Sequence, residues 1–265
     1  MAISKLLICL KFLKTIQTIK MRFLVLIFLT SNLLSGCNKD SAGSRNDIVT
    51  VEGDHFNYML YDGLAQSIID PINTKLEENY LKVLGDLEVT SMDKVTIRLW
   101  NNETYFLDDM EQAIGRRYTG ASGWVYSAND IRILYRGSST SQIALHEFCH
   151  AVSLAVNNSI GNNPRWLWEA VAIYESGEFT DPKTISYIVN RNFPILDELN
   201  SDFNTGGNKI YAVGYLLSEY IIATWGKANF VSLIKANGDI QQTLEVSIHQ
   251  FEDGWVEFVK SKYLD

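Results

Sequence analysis

The amino-acid sequence predicts an α+β fold, with a small mixed β-sheet and an antiparallel edge strand in the N-terminal half and a mostly helical C-terminal half. Segments with the alternation typical of β-strands come first, and from Ser139 onward hydrophobic residues recur at helical spacing. The composition, 46% hydrophobic and 20% charged over 265 residues, is that of a globular protein with a substantial core. No internal repeat or low-complexity linker divides residues 48–265, so we expect one domain there.

The elements of the N-terminal half follow from local patterns. Hydrophobic and polar residues alternate in Phe56–Leu60 and in Lys94–Trp100, which predicts two strands. Between them, helical spacing of hydrophobic residues over 64–84 predicts a helix that is either kinked at Pro71 or begins there. Asn102 is suited to cap the N-terminus of a short helix that follows the second strand and ends at Met110.

A hairpin and a run of helices complete the domain. Gly123–Tyr126 and Ile131–Tyr135 flank the polar turn residues 127–130, which is typical of two antiparallel strands. The later hydrophobic patterns predict six helices, over residues 140–157, 165–176, 181–191, 209–225, 227–236 and 240–262.

The first 36 residues are predicted to be an upstream extension and a signal peptide. Met21 is the favoured start, because Arg22 and the hydrophobic run Phe23–Leu34 have the anatomy of a secretory signal. The run is too short to span a bilayer comfortably. Its end, residues 34–37, resembles a bacterial lipobox, which implies that Cys37 becomes the lipidated first residue of the mature chain. The alternative is an uncleaved anchor.

Residues 37–47 then form a short polar tether to the domain at 48–265. Because residue 38 is Asn rather than the Asp that favours inner-membrane retention in bacterial lipoproteins, we expect an outer-membrane lipoprotein of the cell envelope. Of the other two cysteines, Cys9 is removed with the signal and only Cys149 stays in the folded domain. A single thiol makes no intramolecular disulfide.

The charge of the chain argues against a nucleic-acid partner. The formal net charge is −8, and all the cations before Cys37 lie in a segment without acidic residues (Lys5, Lys11, Lys14, Lys20 and Arg22). Removing these five cations from the balance leaves −13 for the remainder. A domain this acidic repels a phosphate backbone.

The sequence His146-Glu147-Phe148-Cys149-His150 is the first candidate for chemistry. A spacing of four residues turns about 400° on an α-helix, so both imidazoles leave the same face one turn apart and can bind a zinc ion. Glu147 lies about 100° around the helix, where a general base could take a proton from a zinc-bound water. The alternative is a helix whose histidines are ordinary core or surface groups.

Glu169 is the predicted third zinc ligand. It follows His150 by 19 residues, in a helix that Pro164 is suited to open and Gly177 to close. Its neighbours are apolar, and a carboxylate in such surroundings needs a partner, for which a cation is well suited. Three protein ligands with an open fourth position are what a catalytic zinc ion requires.

These motifs together resemble the gluzincin metallopeptidases, and among them the bacterial peptidase MA-like family. The resemblance rests on His-Glu-x-x-His, on the downstream Glu, and on Trp-Leu-x-Glu-x-x-Ala-x-Tyr at residues 166–174, and it extends over most of 48–265. It implies a zincin-like fold, with His146, His150 and Glu169 as zinc ligands and Glu147 as the base. The chain departs from the family in having Ala170 where glycine is usual.

A second departure concerns the orientation of His146. The family often has an acidic residue near the position of Ile173, where it could hold a ligand histidine. Isoleucine cannot do this, so the orientation of His146 must come from elsewhere. Asp197 and Glu198 are the two candidates, with a solvated acidic pair as the alternative.

Two expectations concern the substrate. Zincins hold an extended peptide along an edge strand, and the resemblance implies that Ile131–Tyr135 is this strand; an ordinary inner strand is the alternative. The oxyanion formed during hydrolysis needs a hydrogen-bond donor, and Tyr211, after Thr205-Gly206-Gly207, is the candidate catalytic residue for this role. The alternative for Tyr211 is a core tyrosine.

The sequence thus predicts an exported, lipid-anchored zinc metallopeptidase. Glu147 would activate a zinc-bound water to cleave peptide bonds of a peptide or protein substrate, and the lipid on Cys37 would hold the chain to the membrane. A hydrolase of another amide or ester on the same Zn²⁺ ion is one alternative. The other is a non-catalytic, zinc-containing surface lipoprotein that binds peptide or glycan.

Overall fold

The structure, a computed structural model, describes residues 48–201 and 206–265. Within these residues a mixed β-sheet in the N-terminal half is followed by a mostly helical C-terminal half, which confirms the predicted α+β class. The predicted signal peptide, Cys37 and the tether lie outside the described residues, as does Thr205.

The sheet has five strands, arranged in the order β1-β2-β3-β5-β4. Its three central strands are parallel to one another, and antiparallel pairing adds one further strand at each edge. Alternating side chains of the central strands are fully buried, which explains why their patterns are visible in the sequence. The strands are β1 (Val49–Glu52), β2 (Phe56–Leu60), β3 (Val95–Trp100), β4 (Gly123–Ser127) and β5 (Asp130–Leu134).

The expectation that Ile131–Tyr135 is the edge strand is wrong. β5 lies between β3 and β4, and the edge strand of the hairpin is β4. The physical reason is burial: Ile131 and Ile133 are completely buried, whereas β4 is only partly covered and exposes Tyr126. The hairpin itself is confirmed, with Val125 opposite Ile131 and an irregularity between Val125 and Ser127.

The two helices of the N-terminal half pack on opposite faces of the sheet. The helix α1 (Ile69–Asp86) has Pro71 in its first turn, so the helix begins there and is not kinked. The helix α2 (Glu103–Ile114) is capped by Asn102, whose side chain accepts hydrogen bonds from the first turn, and extends past the predicted end to Gly115. α1 belongs to the main core, whereas α2 covers a smaller cluster around Trp100.

The helices α3 (Thr140–Val156) and α4 (Arg165–Glu175) follow the hairpin and are joined by the predicted turn. α3 packs on β4, β5 and α1, and α4 packs against α3 and against α7 (Ile210–Trp225). Pro164 caps the start of α4, and Gly177 follows its end with a φ of +78°. The methyl group of Ala170 fits because the facing residue on α7 is Gly214, so the departure from the family pattern leaves the helix pair intact.

Two of the remaining predicted helices are each divided into shorter elements. The segment 181–191 divides into a 3₁₀ turn and a single helical turn, and the segment 240–262 is interrupted at Glu245, which has a φ of +59°. Ser247 and Gln250 form a capping box that starts a new helix after the interruption. These helices are α5 (Ser186–Val189), α6 (Leu196–Asn200), α7 (Ile210–Trp225), α8 (Lys227–Lys235), α9 (Ile240–Leu244) and α10 (Ile248–Val259).

One hydrophobic core runs through the sheet and the helical half. Cys149 is buried in it and is a free thiol. Among the described residues, no helix combines the length and the apolar character needed to cross a membrane.

Candidate metal centre

His146, His150 and Glu169 converge between α3 and α4. One nitrogen of each imidazole and one carboxylate oxygen lie within 4.8 Å of one another, so the group could bind a metal ion. The Oε2 atom of Glu169 is 3.5 Å from Nε2 of His146 and 3.6 Å from Nε2 of His150. The helical spacing places both histidines on one face of α3, and the packing of α4 on α3 brings the carboxylate to them.

The surroundings of Glu169 fit a cation. The residue is only 6% exposed, and among the described residues no group donates a hydrogen bond to its buried Oε2 atom. The distances to the two histidines exceed those of good hydrogen bonds. A cation held by two imidazole nitrogens and this oxygen would compensate the buried charge, and two nitrogens with one carboxylate are a ligand set that zinc accepts.

The two histidine rings are held differently. The ring of His150 stacks on Trp168, with 4.0 Å between centroids and 11° between planes. The Nδ1 atom of His146 lies 2.7 Å from Oε1 of Glu178, a residue of the segment just after α4. The contact of Glu178 with His146 was not predicted from the sequence. The one available signal was its position directly after Gly177, the predicted end of α4.

Neither of the two candidates, Asp197 and Glu198, orients His146, whose Nδ1 atom is held by Glu178 instead. The carboxylate of Glu198 forms an ion pair with Lys209. Asp197 lines a separate surface cavity together with Trp166 and Glu252. The two residues lie in α6, which contacts α4 near its N-terminus, where the backbone N–H of Trp166 donates a hydrogen bond to Oδ1 of Asn200.

The charges of the metal-free group are set by burial and by mutual contacts. Burial alone would raise the pKa of Glu169, but the two histidines hold it well below its usual range. Burial lowers the pKa of His150 to about 4. Burial also acts to lower the pKa of His146, yet the contacts with Glu169 and Glu178 outweigh it and raise this pKa well above the usual range.

Metal binding should therefore release protons. The raised pKa of His146 favours the protonated imidazole in the metal-free protein, and a histidine must be neutral to bind a metal ion, so we expect proton release on binding at pH 7. For the same reason, the affinity for zinc should rise as the pH rises toward the pKa of His146. Calorimetric titrations with zinc in buffers of different ionisation enthalpy measure the proton count. Binding without proton release at pH 7 would contradict this assignment.

Glu147 lies beside the group without being part of it. Its carboxylate packs against the edge strand, since a Cβ atom placed on Gly123 would lie 2.5 Å from its Oε1 atom. A residue with a side chain does not fit at this position of β4 without displacing the carboxylate. Burial is the main cause that raises the pKa of Glu147 to about 8, a value suited to proton transfer near neutral pH.

Tyr211 lies in the first turn of α7 and is 40% exposed, unlike a core tyrosine. Partial burial raises the pKa of its hydroxyl group above the usual range, and the charges of Glu169 and Glu147 raise it further, while Arg165 acts in the opposite direction. The ring centroid of Tyr211 lies 6.0 Å from the guanidinium carbon of Arg165, the first residue of α4.

No protein-family model matches the chain, and no curated protein matches it in sequence. The fold and the site nevertheless define a structural class of protein. The chain is an α+β protein in which two helices bring together a His-His-Glu group that could hold a metal ion.

Proposed function

We propose that the protein is a zinc metallopeptidase of the gluzincin type. The observation that carries the proposal is the position of Glu147, a buried carboxylate that follows His146 on the same helix and packs against the backbone of the edge strand at Gly123. A structural zinc site has four protein ligands and no need of an additional base. Three ligands with a neighbouring carboxylate are what metal-assisted hydrolysis requires.

The residues divide the chemistry among them. His146, His150 and Glu169 would hold zinc, which when bound supplies an acidic water and polarises the carbonyl group of a substrate. Glu147 accepts the proton of the attacking water at its carboxylate and returns it to the leaving amine.

The edge strand β4 supports an extended peptide as the substrate. Its inner side pairs with β5, and its outer side is an edge of the sheet, which can add a further strand by main-chain hydrogen bonds. Gly123 brings this strand into contact with Glu147, so a peptide paired with β4 would pass beside the base.

Digestion of an unfolded protein by the zinc-loaded enzyme tests this proposal. We expect cleavage that a zinc chelator abolishes and that added zinc restores. Internal fragments in the mass spectrum would define an endopeptidase, and stepwise loss of terminal residues would define an exopeptidase. A protein that binds zinc but cleaves no peptide bond would contradict the proposal, and a zinc-containing lipoprotein that binds peptide or glycan would then account better for the chain.

The substitution Tyr211→Phe should lower kcat and leave zinc binding unchanged. If the Tyr211 hydroxyl group donates a hydrogen bond to the oxyanion, its loss should reduce kcat by about 10²–10³-fold with little effect on KM. Steady-state kinetics on a peptide substrate, with the zinc content measured in parallel, separates these effects. An unchanged kcat would show that the oxyanion is stabilised by another group.

We also propose that the protein is an exported lipoprotein held to the cell envelope, in the outer membrane, through Cys37. The support is the sequence of the N-terminal segment, with its short hydrophobic run and the Leu-Ser-Gly-Cys ending. Incorporation of a labelled fatty acid in a bacterial host, and its loss in Cys37→Ser, would be the expected result. Equal labelling of both proteins would contradict lipid attachment at this residue.

A further inference from the structure

The end of α4 has a glycine cap that places an acidic residue where such caps usually have a hydrophobic one. The backbone N–H of Glu178 donates to the carbonyl of Ile173 at 2.9 Å, and the N–H of Gly177 donates to the carbonyl of Tyr174 at 3.1 Å. Together with the φ of +78° at Gly177, these bonds form a Schellman motif. The residue after the glycine commonly makes an apolar contact with the helix, but here it is Glu178.

The side chain of Glu178 turns toward the metal group and is fixed there. Its Oε1 atom is 2.7 Å from Nδ1 of His146 and accepts a hydrogen bond of 2.6 Å from the hydroxyl group of Ser176. Gln142, in the first turn of α3, donates to the carbonyl oxygen of Ser176 at 3.1 Å and so ties the cap to the helix of the histidines. Phe179 packs on Tyr215 of α7.

A carboxylate at this position determines which nitrogen of His146 faces the metal site. The Glu178 carboxylate accepts a hydrogen bond from Nδ1–H, so the neutral imidazole keeps its proton on Nδ1 and has its Nε2 lone pair available to a metal ion beside Glu169. The helix α4 offers no other carboxylate for this purpose, because Glu169 lies at Nε2 and Glu175 pairs with Lys82 of α1.

We infer that Glu178 is the positioning residue of His146, and that the glycine cap of α4 supplies the carboxylate that the helix lacks at position 173. This inference rests on the proposed zinc site. It adds that zinc affinity depends on a residue outside the two helices that carry the ligands.

Zinc affinity, measured by competition with a chromophoric chelator, tests the inference. We expect Glu178→Gln to bind zinc about 10–100-fold more weakly than the wild type. The melting temperature of the metal-free variant should stay close to that of the wild type, and the visible spectrum of its cobalt(II) form should change. The matched control is Glu111→Gln, an exposed residue of α2 on the opposite face of the sheet, which should change none of these quantities.

A second variant keeps the test informative if Glu178→Gln folds poorly. Ser176→Ala removes one hydrogen bond to the carboxylate and should weaken zinc binding by only a few-fold. Equal zinc affinity and an unchanged cobalt spectrum in Glu178→Gln, beside a wild type that binds zinc tightly, would overturn the positioning role alone. A wild type that binds no zinc would overturn the proposed function and this inference with it.

Discussion

Glu147→Gln should abolish most peptide hydrolysis while the protein retains its zinc. Glutamine has nearly the same shape as glutamate but cannot accept a proton in the relevant pH range, so the attacking water loses its base. The rate should fall by about 10²–10⁴-fold. Because Glu147 is not one of the three residues that converge as ligands, the zinc content should remain that of the wild type. Kinetics and metal analysis on the same preparation measure both quantities.

The matched control for this prediction is Glu257→Gln, which changes a largely exposed residue of α10. This variant should keep both hydrolysis and zinc. If Glu147→Gln cleaves peptides as fast as the control, Glu147 is not the base. If it loses its zinc instead, the residue belongs to the ligand set, and the division of roles within the His-Glu-x-x-His motif is wrong for this chain.

Phe148→Ala should cause the largest loss of stability among the substitutions considered. Phe148 is completely buried between the sheet and α1, with its ring 5.1 Å from that of Phe56 and 5.6 Å from that of Tyr80. Truncation leaves a cavity under the motif helix, and a change of this kind costs about 3–5 kcal/mol of unfolding free energy. Denaturant unfolding of the metal-free protein measures the difference.

Leu81→Ala provides the comparison, since Leu81 lies on α1 but is 77% exposed. Its unfolding free energy should differ from that of the wild type by less than about 0.5 kcal/mol. If Phe148→Ala lost as little unfolding free energy as Leu81→Ala, α3 would not pack on the sheet through Phe148. That result would remove the support that positions the two histidines.

Much of the fold could be predicted because its signals are local. Asn102 caps α2 through its own side chain, and the polar residues 127–130 turn the chain between β4 and β5. The motif helix was predictable for the same reason, since a spacing of four residues determines which side chains share its face. Pro164 and Gly177 delimit α4 as proline and glycine do at helix ends in general.

The remaining features depend on contacts between distant parts of the chain. The alternation of buried residues in β5 is the same for an inner strand and an edge strand, so strand order cannot be obtained from it. Glu178 is 32 residues from His146 in sequence, and no spacing rule connects an acidic residue after a helix cap to a histidine on another helix. The interruption at Glu245 follows from a left-handed backbone conformation that a continuous hydrophobic pattern conceals.

The metal content of the purified protein tests most directly whether His146, His150 and Glu169 form a zinc site. After exposure to zinc and removal of the excess, the wild type should hold about one zinc ion per chain. Glu169→Gln should hold little zinc under the same conditions, because two imidazoles alone bind the ion weakly. Equal zinc content in both proteins, or none in the wild type, would contradict a zinc site formed by these three residues.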